Sequence, residues 1–196
     1  MEITTYCKSQ LKERGWTDSM IRKFMPVPDA EKTNPIFRCA SPMKLFNCER
    51  VHLFEDTDEW MTAREKADTR SKVARNVAER KRDDLLKEAE SLSIDIKIIP
   101  MDKVIKNAIS HYNRWQRERN SYASSAHIDS DHSFLERISV NYLRHEKTNY
   151  DFELYKLRRR VGVHEAYFIV KTKVLNVIKE SYPTLGDECD RQLEQM

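Results

Sequence analysis

Glycine is scarce in this chain, with three in 196 residues: Gly15, Gly162 and Gly186. A phosphate-cradling loop needs several glycines close together, and a nucleophile elbow needs one on either side of its serine, so neither device is available. So few glycines also argue against a β-rich fold. Cysteine occurs four times, as Cys7, Cys39, Cys48 and Cys189, but never in CxxC spacing, and His52 is the only histidine near the first three. That is a poor zinc signature, so half-buried or buried thiols are expected, with no metal and no cofactor. No apolar run approaches the ~20 residues that cross a bilayer, and Met1-Glu2-Ile3-Thr4 lacks the basic and apolar regions of a signal peptide. The expectation is a soluble intracellular protein, cytoplasmic or nucleoid-associated, with no membrane partner. Net charge is also small, at +3, so any nucleic-acid surface must be a local patch among compensating acids.

What is present is charge and helix-forming residues: 34% charged and 39% hydrophobic. The fold class expected is mainly α, with an α+β head at residues 1–57, a long charged connecting helix at 58–93, a helical bundle at 101–183 and a terminal helix or tail at 184–196. The head carries the clearest punctuation. Lys8 to Arg14 favours helix, Gly15 ends it, and Thr17-Asp18 offers oxygens to cap a second helix. Pro26 and Pro28 stop that helix, because proline removes a backbone donor and restricts its predecessor. Asn34 to Arg38 and Met43 to Phe46, around Ala40-Ser41-Pro42, read as the two strands of a hairpin. Helix, corner, helix, hairpin is winged-helix order. Ser19, Arg22 and Lys23 would face outward, while Met20, Ile21 and Phe24 face the core.

The run Leu11, Gly15, Thr17, Ile21-Arg22-Lys23, Lys44-Leu45-Phe46 and Val51 resembles the winged-helix superfamily that includes the MerR-type regulator head and phage excisionases. Asn34-Pro35, Met43-Lys44-Leu45-Phe46, Val51 and the charged helix from Asp58 resemble more specifically the C-terminal half of the xeroderma pigmentosum group A DNA-binding domain. The resemblance spans about residues 5–90. It implies a head that binds duplex DNA through its second helix and wing. Arg22 and Lys23 would approach the groove edge, Ser19 a base or phosphate, and Lys32, Arg38 and Lys44 the backbone. The four-cysteine zinc module of that family is not in this sequence, so damage recognition and repair-factor binding do not carry over.

Glu49 to Glu55 is expected to form a short helix packing Val51, Leu53 and Phe54 beneath the wing. From Glu59 to about Leu92 there is neither glycine nor proline, which predicts a helix on the order of 50 Å long. Its apolar positions, Trp60, Ala63, Ala67, Val73, Val77 and Leu85 among them, make a thin stripe that is a candidate for self-association into a homodimer. Its cations, Arg64 and Arg70 included, are candidates for phosphate contact, against the simpler reading of a solvated face.

Ser93 to Pro100 reads as an extended domain boundary. Met101 to Arg119, Ser133 to Arg160 with a break near Thr148-Asn149, and His164 to Tyr182 then read as packed helices, with Gly162 at a corner and Pro183 as a stop. This bundle is a candidate surface for a protein partner. His127, Asp129, Asp131 and His132, with His145-Glu146 and His164-Glu165, raise the alternative of a metal-dependent nuclease. Adjacent residues on a helix point about 100° apart, and no HExxH or paired-carboxylate motif occurs, so the cluster is read as structural. Asn141, Arg144, His145 and Glu146 should then bond to one another or to Tyr150, with Arg144 and Glu146 the charge pair across to another helix. The function expected is a non-catalytic DNA-binding protein, an accessory or regulatory factor related to phage or mobile elements. A nuclease and a protein-interaction module are the alternatives.

Overall fold

The computed structural model describes residues 4–34, 39, 41–119 and 124–195. It is mainly helical, with one small antiparallel sheet, and its chain divides into two compact units, 1–77 and 78–196.

In the first unit, strand β1 (Thr5–Cys7) leads into helix α1 (Lys8–Glu13). Gln10 turns back to accept the Cys7 amide at 2.8 Å, satisfying a donor that the first helical turn leaves open. The helix ends in a Schellman motif: Gly15, at φ +93°, donates to the Lys12 carbonyl, and Trp16 donates to that of Leu11. The left-handed residue folds Trp16 back over Leu11, and both are buried. Helix α2 (Asp18–Phe24) starts on Thr17, whose hydroxyl accepts the Met20 amide at 3.2 Å.

Strand β2 (Ala30–Lys32) and strand β3 (Met43–Asn47) follow, in a sheet of order β1-β3-β2. Tyr6 lies opposite Phe46, and Lys44 opposite Glu31. Asn47 then caps helix α3 (Cys48–Glu55), accepting the amides of Glu49 and Arg50. Helix α4 (Asp58–Ser91) begins at once, with Thr57 accepting the Trp60 amide. Leu11, Trp16, Met20, Ile21, Met25, Phe46, Val51 and Trp60 form the core of this unit, the Trp16 and Trp60 rings 5.7 Å apart. Burying each large side chain contributes about 1.5–3 kcal/mol, a large share for so small a unit.

In the second unit Leu85 and Ala89 of α4 pack with helix α5 (Met101–Glu118) and helix α6 (His132–Tyr142). A π-helical turn, Leu143–Lys147, continues α6 directly, and helix α7 (Tyr150–Leu157) follows. Gly162, at φ +84°, turns the chain into helix α8 (Val163–Ser181), and a 3-10 turn, Pro183–Leu185, precedes helix α9 (Gly186–Glu194). Val170, Val174, Leu175 and Ile178 of α8 are completely buried at the centre.

Several expectations need correction. The first strand was not anticipated, and the strand pairing with β3 is Ala30–Lys32 rather than residues 34–38; positions 35–38 lie outside the described residues. Leu53 is exposed, because α3 turns Val51 inward and presents Leu53 on the opposite side. The chain divides between the two units at Val77 and Ala78, inside α4, not at 93–100. Residues 93–100 belong to the second unit: Ile96 bridges Thr148, Asn149 binds the Ser93 carbonyl and Asp95 amide, and Tyr182 bonds both the amide and the carbonyl of Ile99. Of the helix or tail expected at the C-terminal end, the structure has the helix, α9, with Leu185 and Cys189 buried in the core. Within α4, Val73 and Val77 are exposed, as their thin stripe suggested. Among the described residues no helix is long and apolar enough to cross a membrane.

Candidate nucleic-acid interface

Helix α2 places its residues by simple periodicity. Met20 and Ile21 turn into the core, so Ser19, Arg22 and Lys23 stay on the exposed side. Ser19 shares a 2.9 Å hydrogen bond with the capping Thr17 hydroxyl. Arg22 forms no ion pair or hydrogen bond among the described residues, which leaves its guanidinium available. Lys23 lies 4.6 Å from the Phe24 ring centre and 3.8 Å from Glu59, an exposed pair of the kind that contributes little.

The exposed face of α2 and the first turns of α4 enclose an open groove of about 470 Å³. Thr17, Ser19 and Lys23 line one side, and Ala63, Ala67 and Arg70 the other. Small alanines at 63 and 67 make this groove, because they let α4 approach α2 without filling the space between. Arg70 is held with its Nε donating to the Lys66 carbonyl at 3.1 Å. At the start of α2, Lys12 sits 3.0 Å from Asp18 and, by that hydrogen bond, holds its carboxyl below the usual range.

The fold therefore brings Ser19, Lys23 and Arg70 to one groove, with Arg22 on the same helix. Lys32 and Lys44 are exposed on the β2–β3 hairpin and do not line it, and Arg38 lies outside the described residues. Arg64 has a different position. Its guanidinium stacks 5.2 Å from the Trp60 ring centre and lies against Gly15, where a Cβ would come within 3.1 Å of it. It lines a neighbouring concavity with Glu55, Glu65 and Asp68, whose acidity opposes phosphate binding.

One constellation was missed. Glu55 accepts from Arg14 Nε at 2.9 Å and from the Trp16 indole at 2.8 Å, and its second oxygen pairs with the Arg14 Nη2. Burial pushes the Glu55 carboxyl up, but these hydrogen bonds and the Arg14 charge more than offset it, leaving it below its ordinary value. The pattern joins positions some 40 apart in sequence, where no periodicity could have signalled it.

The histidines and acids of the second unit do not converge. Asp131 caps α6 through the Phe134 amide, His132 pairs with Glu136, His145 with Asp151, and Glu165 with Arg82. Among the described residues, no group of three or more His, Cys, Asp or Glu is arranged to hold a metal ion. The expected network around Tyr150 forms, with Glu146 rather than Arg144 making the charge pair across to another helix. Glu146 reaches across to His111 and Arg114 of α5, while Arg144 bonds Asn141 and His145 and lies over Tyr150. Comparison of the chain with protein-family models, with curated proteins and with solved structures gives no match.

Proposed function

We propose that the first unit is a non-catalytic duplex-DNA-binding head in which α2 enters a groove of the duplex and the β2–β3 hairpin acts as a wing. The observation that carries this reading is the juxtaposition of Ser19, Lys23 and Arg70 along one open groove, with Arg22 unpaired beside them among the described residues. Cations on a short exposed helix and hydroxyls at its start are the groups that contact phosphates and base edges. The sheet order and the exposed lysines at 32 and 44 support a wing that approaches the backbone. On this reading the protein is an accessory or regulatory factor.

The test is a gel-retardation titration of a duplex of mixed sequence with the full chain and with the Arg22→Ala, Lys23→Ala double variant, at two salt concentrations. Binding should weaken with salt, and the double variant should lose about 1–3 kcal/mol, because each removed cation contacts phosphate or a base edge. A folded double variant that binds as tightly as the parent sinks the assignment. Salt-independent or absent binding favours a protein-interaction module on the same frame.

A further inference from the structure

A second concavity, in the other unit, lies between α5 and the end of α6 with its π-helical turn, and encloses about 290 Å³. From α5 it receives His111, Tyr112 and Trp115. From α6 and the turn it receives Arg137, Asn141, Arg144 and His145. None of its lining residues is acidic. Two guanidiniums and two imidazoles therefore face one small space beside two aromatic rings.

The charge of Arg144 is unusual in what surrounds it. Its Nη2 donates to the Asn141 amide oxygen at 3.1 Å, its Nη1 to the Gln192 amide oxygen at 3.4 Å, and its Nε to the His145 Nε2 at 3.3 Å. None of the three acceptors is a carboxylate, and among the described residues no carboxylate pairs with it. The nearby acids are otherwise engaged: Glu146 with His111 and Arg114 at the rim, and Asp151 with the far nitrogen of His145. Asp151 lies 2.9 Å from His145 Nδ1, the ring nitrogen opposite the one that Arg144 meets. This chain fixes the guanidinium plane without neutralising it. The consequence is felt by Lys171, whose ammonium is held below its ordinary value by burial and then by the charge of Arg144. Arg137 likewise makes no ion pair among the described residues and lies 5.3 Å from the Phe134 ring centre.

The π-helical turn explains why these groups meet. A π turn is a local widening of the helix that recurs at binding sites, and here it runs through both Arg144 and His145. Trp115 adds a flat apolar wall, 41% exposed, with Arg119 over one face of its ring at 4.3 Å from the centre. Tyr112 is braced edge-on against Phe134 at 5.2 Å. An oriented, unneutralised guanidinium binds phosphate oxygens through charge-assisted hydrogen bonds, and exposed aromatic faces stack bases.

We propose that this concavity is a nucleotide site, in which Arg144 and Arg137 take a phosphate monoester and Trp115 and Tyr112 take the attached base. The volume suits one nucleotide rather than a duplex, so the site is separate from the α2 groove and does not rest on the DNA reading of the first unit. The same chemistry is offered by a free mononucleotide and by the phosphorylated end of a strand.

The experiment is a calorimetric titration of the full-length protein with adenosine 5′-monophosphate, adenosine and inorganic phosphate, followed by short oligothymidylates with and without a 5′-phosphate. Adenosine monophosphate should bind, and either fragment alone should bind at least about tenfold more weakly, since each lacks one half of the recognition. Arg144→Gln should weaken the nucleotide about tenfold or more by removing a charge-assisted contact. Arg137→Ala, at an exposed position, tests the same contact where Arg144→Gln disturbs folding. The Arg22→Ala, Lys23→Ala variant should bind the nucleotide normally, whatever it does to duplex DNA. Preference for the phosphorylated oligonucleotide over the mononucleotide identifies a strand end as the source, and the reverse identifies a free nucleotide. No binding of any of these up to millimolar concentration, inorganic phosphate as good as the nucleotide, or folded Arg137 and Arg144 variants that bind unchanged would each overturn the proposal.

Discussion

Glu55 is the most informative single position for the stability of the first unit. Its side chain is 14% exposed and accepts three hydrogen bonds, two from Arg14 and one from the indole of Trp16, a residue only 2% exposed. Replacing it by alanine leaves the indole N–H buried without an acceptor, which costs about 1–3 kcal/mol. The pair with Arg14 adds less than a buried ion pair would, because the Arg14 side chain is 36% exposed; about 1 kcal/mol is appropriate. Glu55→Ala should therefore cost about 2–4 kcal/mol, a large part of the ~4–11 kcal/mol expected for a unit of this size. Glu55→Gln keeps an oxygen for Trp16 and loses only the charge, so it should cost about 1 kcal/mol.

Urea titration followed by tryptophan fluorescence in a Trp115→Phe background makes the measurement specific, since the remaining tryptophans, Trp16 and Trp60, both belong to the first unit. The pH dependence has a definite sign. The folded carboxyl titrates below the unfolded one, so its contribution is present above the unfolded value of about 4.3 and disappears as pH falls through the lower folded value. The gap between parent and Glu55→Gln should be constant from about pH 5 to 7 and shrink in acid. A loss below about 1 kcal/mol for Glu55→Ala, or equal losses for alanine and glutamine, would refute the reasoning about the indole.

The two left-handed glycines should respond differently to alanine. At Gly162 the new Cβ would meet Arg82 Cγ at 2.7 Å and its Cα at 3.3 Å, so crowding adds to backbone strain and the cost should reach about 2–3 kcal/mol in thermal melts of the second unit. At Gly15 the nearest atoms are the far end of the Arg64 side chain, at 3.1 Å, which can give way more easily than backbone, so Gly15→Ala should cost mainly the strain, about 1–2 kcal/mol. Thiol labelling with Ellman's reagent should also divide the cysteines: Cys39 is exposed, and the Ser9 hydroxyl 3.0 Å from Cys7 draws that thiol below its ordinary value, so both should react in the native protein. Cys189 is buried, its thiol pushed up to about 11 chiefly by that burial, and should react only when the second unit unfolds in denaturant; rapid native labelling would contradict its place in the core.

The sequence by itself determined the features whose causes act within a turn or two of chain. The Gly15 corner, the Thr17 cap, the stop at Pro26, the glycine- and proline-free run of α4, the break at Thr148-Asn149, the Gly162 corner and the stop at Pro183 all stand in the structure near their expected positions. The inward faces of α2 and α8 followed from helical periodicity. Tertiary structure decided the rest. Strand β1 is three residues long and exists because β3 lies beside it; pairing across some 40 positions leaves no period to read. The division of α4 between two units depends on which neighbours each end meets, since its helix-forming residues are alike throughout. The candidate sites show the same limit most clearly. Every cation was visible in the sequence, but whether it meets an acid is a property of the assembled chain: Arg14 meets Glu55 from 41 positions away, while Glu146 pairs with His111 and Arg114 of α5 and leaves Arg144 bonded to the amides of Asn141 and Gln192.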